Sequence, residues 1–353
     1  MHLSQLWPPL VSFALTIAGI FFMLKFFPKW RLMDRPHEYD LKRAPIPYSG
    51  GIIFFIIFFI TSFLFVDITK PIAGVIFGGL LITFVSFMDD RIRLSPILRL
   101  AVQILAGVIV VLAGIKIQLF NNPFGAPIFL DQIQFTILGE KIWLFSALAI
   151  IVWLVLMMNV MNWLDGIPGL ASGISTIAQL AIFFLSIQQF HIVDQSAVIT
   201  ISSVLAASTF AFLFFDFPAP KILMGDSGSM FLGFMLGTLS ILAGGKLATA
   251  LLIMGFPVLD AFWVILKRIL HGQSPFRGDF SHFHHRLLFV GLSERSALFF
   301  NYMICAIFAM IAVALRSTFE KFVAFLVVFA VMLLIGFFLF FRQKSIDITK
   351  INR

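Results

Sequence analysis

The chain has 353 residues, 60% of them hydrophobic and 12% charged, with a formal net charge of +8. A soluble domain carries about 25% charged residues, so no single water-soluble core hides this much apolar surface and hydrocarbon must surround most of the chain. That excludes a soluble enzyme, and the basic excess points to membrane topology and anionic lipid or substrate, with no sign of nucleic-acid binding.

A spanning helix needs about 20 mostly apolar residues. In chain order such runs are predicted near 8–28, 50–66, 71–88, 98–114, 143–161, 169–189, 195–215, 229–244, 246–267, 297–315 and 321–341. The count is eleven, or ten if the short eighth and the polar-ended ninth do not both span. The fold class is all-α and polytopic, expected as one integral membrane domain over 1–353. No basic segment precedes the first run and no small-residue cleavage site follows it, so it is expected to stay in place. Between the fourth and fifth runs, Asn121, Asn122, Pro123 and Gly125 separate short apolar stretches, which predicts a small strand hairpin on the outer face across 115–142. A lone Cys305 leaves no internal disulfide and reads as a packing residue.

Lys and Arg set the orientation. With the N-terminus outside and the C-terminus inside, nineteen of the 25 fall on inner segments and six on outer ones, as the positive-inside rule requires. The inner segments are then about 29–49, 89–97, 159–168, 216–228 and 267–296. Asp89, Asp90, Asp165, Asp216, Asp226, Asp260 and Asp279 lie in or beside them, whereas outer acids are scattered. An active site on the cytoplasmic face is expected.

Four constellations carry the chemistry. Asp89-Asp90 ends the third run; adjacent carboxylates near water bind a hard cation or accept a proton, though charged residues also commonly end a membrane helix. Asn159, Asn162 and Asp165 end the fifth run, and their spacing of three places them on one helical face. Such groups need a partner, a cation or water; interhelical hydrogen bonding is the bland alternative. Gly166, Pro168 and Gly169 follow at once and put this face at the mouth of a broken helix. Gly225-Asp226-Ser227-Gly228 precedes the eighth run, where Asp226 or Ser227 reads equally as an N-cap or as part of an anion and cation site. His282, His284, His285 and Arg286 crowd into a basic loop, where imidazole beside arginine suits phosphate or sugar hydroxyls better than zinc. Asp260 lies inside the ninth run. An unpaired charge there costs about 2.5–3.5 kcal/mol, so Asp260 is expected either to be paired or to line the site, and Lys267 lies two turns along the same face.

Together these motifs resemble the polyprenyl-phosphate N-acetylhexosamine-1-phosphate transferases, glycosyl transferase family 4. The resemblance runs from Pro45-Ile-Pro47-Tyr-Ser-Gly50-Gly51 to Arg286. Its most specific parts are Asp89-Asp90, Asn159 to Ala171, Gly225 to Gly233, and Leu259-Asp260 through Ser274-Pro275-Phe276 to Leu287. The His282-Phe-His284-His285-Arg286-Leu287 form is similar to the undecaprenyl-phosphate GlcNAc-1-phosphate branch rather than the phospho-MurNAc-pentapeptide branch, which is kept as the alternative. The resemblance implies Asp89, Asp90 and Asp165 as catalytic acids, Asp89 acting on the lipid phosphate. It implies Asp226 and Asn162 around Mg2+, with Mn2+ as a substitute. It assigns Arg43, Asn159, Asn162, His282, His284, His285 and Arg286 to substrate binding. The implied partners are undecaprenyl phosphate, a UDP-sugar, the bilayer of the cytoplasmic membrane and a second copy of the chain in a homodimer. Two positions depart from the family: Pro168 replaces the second acid of the DGxDG motif, near the nucleobase in relatives, and Tyr48 stands where relatives often carry Arg.

The expected reaction is displacement at the β-phosphorus of a UDP-N-acetylhexosamine by the lipid phosphate, with UMP leaving. A transporter predicts mid-membrane acids and repeat symmetry, and neither is evident. A scaffold gives no reason to gather four polar motifs on one side.

Overall fold

In the computed structural model, residues 6–39, 43–137, 139–190, 194–244, 247–270, 272 and 282–351 are described. The chain divides into two compact units, 1–247 and 248–353.

The first unit contains α1 (Trp7–Phe26), α2 (Ile52–Phe65), α3 (Lys70–Ile92), α4 (Pro96–Leu112), α5 (Leu144–Leu164), α6 (Leu170–Gln189), α7 (Ser196–Asp216) and α8 (Asp226–Leu242). Its centre is α8, packed by α2, α3, α5 and α6. Every residue from Ser227 to Ile241 is buried, as an all-round apolar helix in a protein core must be. Small residues let neighbours approach it: a Cβ on Gly233 would lie 2.5 Å from the Met157 carbonyl oxygen of α5, and one on Gly51 2.2 Å from Gly228 Cα. The Pro45–Gly51 segment is fastened beside the start of α8. Leu223 N donates to Pro47 O, Gly50 N to Leu223 O and Gly51 N to Met224 O, each at 2.9 Å.

At the other end of these helices the predicted hairpin is two short ribbons. Leu119–Phe120 (β1) pairs antiparallel with Ile128–Phe129 (β2), and Gln134–Ile137 (β3) with Glu140–Trp143 (β4). Gly139 turns β3 into β4 at φ +81°, a left-handed conformation that glycine adopts without strain. Lys70 at the start of α3 is ion-paired with Glu140, holding that carboxyl below its usual range. Lys116 lies over Trp143 at 5.2 Å, at the boundary between β4 and α5.

The second unit contains α9 (Leu247–Ile253), α10 (Gly255–Leu270), α11 (Phe283–Phe289), α12 (Glu294–Ala314) and α13 (Thr318–Ile351). The ninth predicted run is thus interrupted between α9 and α10. Pro257 has no backbone N–H to continue the ladder, and Gly255 is a poor helix former. Phe256, Phe283, Leu287 and Ala297 form the core of this unit, Phe256 meeting Phe283 edge-on at 4.6 Å. Cys305 is buried in α12.

Among the described residues, α1, α3, α5, α6, α7, α12 and α13 are long and apolar enough to cross a bilayer. α2, α4 and α8 are shorter apolar helices. A multi-pass helical membrane protein follows from these elements.

Candidate active site

The C-terminal ends of α3 and α5 and the N-terminal ends of α4 and α8 meet at the end of the first unit away from the ribbons. Asp89 and Asp90 occupy the last turn of α3, which Arg93 closes at φ +52°. Leu94 N donates to Asp89 Oδ1 at 2.5 Å, and Arg99 Nη1 donates to Asp89 Oδ2 at 3.3 Å. The same Arg99 nitrogen lies 3.6 Å from Asp226 Oδ2. Local sequence places Arg99: Ser95 caps α4 by accepting from Leu98 N, and Pro96 suits the first helical position, so Arg99 stands one turn in.

Asp90 has a different task. Its Oδ1 accepts from Asp226 N at 2.8 Å and its Oδ2 from Ser227 N at 3.3 Å. The first amides of α8 are therefore capped by a carboxylate 136 residues earlier in the chain. Neither Asp226 nor Ser227 caps its own helix; the N-cap is Gly225, at φ +74°. A Cβ there would lie 2.8 Å from Asp90 Oδ2, so the position needs glycine both for its backbone conformation and for this approach.

This arrangement leaves the Asp226 side chain free for other contacts. Asn162 Nδ2 donates to Asp226 Oδ1 at 2.9 Å and lies 3.1 Å from Ser229 Oγ. Asn159, one turn back on α5, instead donates to Gln103 Oε1 of α4 at 2.9 Å and to Val155 O at 2.7 Å. The interhelical hydrogen bonding weighed for these asparagines is thus realised at both, Asn162 reaching α8 and Asn159 reaching α4. Asp165 forms the C-cap of α5. Burial raises its carboxyl well above the usual range, and the charges of Asp216, Asp226 and Asp90 push the same way against the Gly225 amide.

Asp216, the last residue of α7, holds the adjoining turn. Its Oδ2 accepts from Gly169 N and from Ser172 Oγ, both at 2.9 Å, capping α6 as Asp90 caps α8. Arg43 pairs with Asp34 at 2.5 Å, and Asp34 also accepts from Ile46 N at 2.7 Å, so this pair braces the loop before Pro47.

The histidine motif belongs to the second unit and is built on Asp260. Asp260 Oδ2 lies 2.9 Å from His282 Nδ1, and Oδ1 accepts from Phe283 N at 2.9 Å, the first amide of α11. Asp260 is therefore paired, with His282. His282 and His284 stack with centroids 5.8 Å apart, and His284 lies 4.3 Å from His285. Burial lowers the His284 pKa well below the usual histidine value, with the charges of His285 and His282 adding to it, so this ring stays neutral. Ser274, Pro275, Phe276 and Asp279 lie outside the described residues.

Arg99, Gln103 and Asp216 escaped the sequence reading as site residues. Asp216 had a visible signal, an acid ending an apolar run. Arg99 had a weaker one, a cation one turn inside such a run shortly after an acid pair.

The donor set suits a hard divalent cation. Asp226 and Asn162 supply carboxylate and amide oxygens, and four neighbouring carboxylates leave the locale short of positive charge, with Arg99 the cation in contact. Among the described residues no three His, Cys, Asp or Glu form a ready cage. A Mg2+ ion takes one or two protein carboxylates and fills its shell with water and substrate phosphate, so Asp226 and Asn162 are donors of the kind it uses.

The glycosyl transferase family 4 model matches residues 72–244, a span that contains the Asp89–Asp226 cluster but neither the Arg43 loop nor the Asp260–histidine group. A probable undecaprenyl-phosphate N-acetylglucosaminyl 1-phosphate transferase of Bacillus subtilis is 30% identical over 81% of this chain and 77% of its own length. The decaprenyl-phosphate N-acetylglucosaminephosphotransferase of Mycolicibacterium smegmatis is 33% identical over 78% of the chain and 73% of its own. The undecaprenyl-phosphate alpha-N-acetylglucosaminyl 1-phosphate transferase of Escherichia coli K12 is 28% identical, over 96% of the chain and 91% of its own length.

Proposed function

The chain belongs to glycosyl transferase family 4, and from that premise we propose that it transfers N-acetylglucosamine 1-phosphate from UDP-GlcNAc to undecaprenyl phosphate on the cytoplasmic face of the membrane. An oxygen of the lipid phosphate attacks the β-phosphorus of the donor, the bond from that phosphorus to the bridging oxygen breaks, and UMP leaves. The products are UMP and a polyprenyl-diphosphate-linked sugar, the first membrane step of a cell-envelope glycan.

One observation carries the reading: Asp89, Arg99, Asp226 and Asn162, from four helices, are linked by contacts of 3.3, 3.6 and 2.9 Å. Phosphoryl transfer demands positioning and charge neutralisation more than covalent help, and these side chains supply both. Asp89 keeps the acceptor phosphate ionised. Asp90 fixes the start of α8 and hence Asp226. Asp165, buried beside Asp216, Asp226 and Asp90, is the third acid assigned to the chemistry. Asp226 and Asn162 would hold Mg2+ or Mn2+, which when bound neutralises the donor diphosphate. The two termini lie on opposite sides, N outside, as the Lys and Arg distribution favours. His284, His285 and Arg286 are assigned to phosphate or sugar hydroxyls on their chemistry alone.

The test is UMP release by the purified protein with undecaprenyl phosphate and a panel of UDP-sugars, with and without Mg2+. UDP-GlcNAc is expected to be the preferred donor. Asp89→Asn and Asp226→Asn should each abolish Mg2+-dependent release while the protein remains inserted. Full activity in both variants would overturn the assignment.

A further inference from the structure

The C-terminal end of α1 carries a cationic and aromatic cluster that the transfer reaction does not use. Phe22, Phe26 and Trp30 recur at the four-residue spacing that puts helical side chains on one face. The Phe22 and Phe26 ring centroids are 4.5 Å apart, and Trp30 stacks on Phe26 at 5.7 Å. This ladder faces outward: Phe22 is 49% exposed and Trp30 53%. Lys25 Nζ lies 5.7 Å from the centre of the Phe26 ring and Lys29 Nζ 5.4 Å, both within cation–π reach. The dipole of a helix C-terminus accounts for one lysine. Two ammoniums drawn to a single ring repel each other, and among the described residues neither is paired with a carboxylate. Asp34, the nearest acid in sequence, is taken by Arg43. The positive charge of the cluster is therefore not balanced within the protein.

The cluster is tied to the reaction end of the same unit. Arg31, at φ +57°, turns the chain out of α1. Leu32 N donates to Phe27 O at 2.9 Å, and Leu32 O accepts from Tyr48 N at 3.1 Å. Met33 pairs antiparallel with Pro47, the residue fastened to Leu223 ahead of α8. Arg35 Nη2 donates at 3.2 Å to the carbonyl of Arg91, in the last turn of α3. The ladder thus ends at the membrane boundary on the side of the Asp89–Asp226 cluster, where a Trp ring settles at headgroup level.

We propose that this end of α1 is a binding site for an anionic phospholipid of the bilayer: Lys25 and Lys29 take the headgroup phosphate, and the face of Phe22 and Trp30 takes an acyl chain. Charge complementarity selects the occupant. A zwitterionic lipid brings its own cation to the two ammoniums, whereas an anionic diacyl lipid brings none. Attraction of one lysine to anionic lipid is worth about fivefold in affinity, and two lysines act here together. The bound lipid joins α1 to the segment 31–35 and so steadies the platform from which α8 starts.

The experiment places the full chain in phosphatidylcholine bilayers containing brominated phosphatidylglycerol or, in parallel, brominated phosphatidylcholine. Bromine quenches nearby tryptophan fluorescence, and subtracting the signal of Trp30→Phe isolates Trp30. Wild type is expected to prefer phosphatidylglycerol at Trp30 about tenfold or more. Lys25→Gln combined with Lys29→Gln should bring the preference to about unity, and Lys25→Arg combined with Lys29→Arg should keep it. Lys116→Gln removes the single-lysine contact over Trp143 at the opposite end and should leave the preference within about twofold. In detergent, phosphatidylglycerol should raise the melting temperature of wild type more than phosphatidylcholine does, and the double glutamine variant should lose that difference. No preference in wild type, or a preference that survives the double glutamine variant, would overturn the proposal and leave these lysines only a topological role. Displacement of phosphatidylglycerol from Trp30 by an equal amount of farnesyl phosphate would make this a prenyl phosphate site and overturn it as well.

Discussion

Replacing Asp90 by Ala removes the acceptor for the first two amides of α8, those of Asp226 and Ser227. Hydrogen bonds to a charged acceptor contribute about 1.5–3 kcal/mol each, and the longer Ser227 contact at 3.3 Å lies at the weak end. Two effects offset the loss. Repulsion between Asp90 and Asp226 disappears, and water reaches part of the freed helix end, since Asp226 is 26% exposed. The net destabilisation should be about 2 kcal/mol, comparable to losing a strong N-cap. Asp90→Asn keeps one acceptor oxygen but turns an amide N–H toward a backbone N–H, and should cost about half as much. The assay pairs the apparent melting temperature in detergent, followed by intrinsic fluorescence, with UMP release. A capping role predicts that stability and activity fall together, Ala below Asn below wild type. If both variants melt like wild type yet are inactive, Asp90 acts on substrate or metal and the capping argument is wrong.

Asp165→Asn should flatten the pH dependence of stability. The raised carboxyl holds its proton to higher pH in the folded chain than in the unfolded one, so its contribution worsens as pH rises from the ordinary carboxylate range toward that raised value. Melting temperatures measured across this range, without divalent ions, should decline less in the variant than in wild type, and activity should fall. Gly51→Ala puts a Cβ against the Gly228 backbone and should cost about 1–3 kcal/mol through forced separation of α2 from α8, read as a lower melting temperature. In the second unit, Asp260→Ala strips the cap from α11 and the partner from His282; faster proteolysis around 282–289 is the expected signature. Glu140→Gln serves as a contrast: the ion pair with Lys70 is solvent-exposed, so melting temperature and activity should both stay at the wild-type level.

Much of this architecture was legible because the signals were local. Apolar length alone located the helices, and the ninth run, marked as polar-ended, proved to be the interrupted one, at Gly255 and Pro257. The residues that meet at this helix end stood out as motifs, since Asp89-Asp90, Asn162 and Asp226 carry short-range signatures. Their partners were not. Spacing within a motif says nothing about which distant helix end a carboxylate will face, so Asp226 and Ser227 read equally as caps or as site residues, and Asp90 was not seen as the acceptor for their amides. Asn159 and Asn162 share a face by periodicity, yet α4 claims one and α8 the other. Arg99 carries no motif, because its position depends on the close approach of α4 to α3 and α8. Asp260 was expected to be paired or to line the site, and the contact it makes is with His282, a residue far along the chain that spacing could not indicate.

Asp90, Asp216 and Asp260 each finish a helix that they do not belong to. Asp90 emerges from the ribosome long before Asp226, whereas Gly169 emerges before Asp216. During synthesis α3 must therefore be held with an exposed carboxylate until α8 is inserted, and α6 remains open at its start until α7 is complete. Assembly of the reaction centre is consequently a late event in biogenesis, and a ribosome-bound chain that stops before α8 should bind neither substrate.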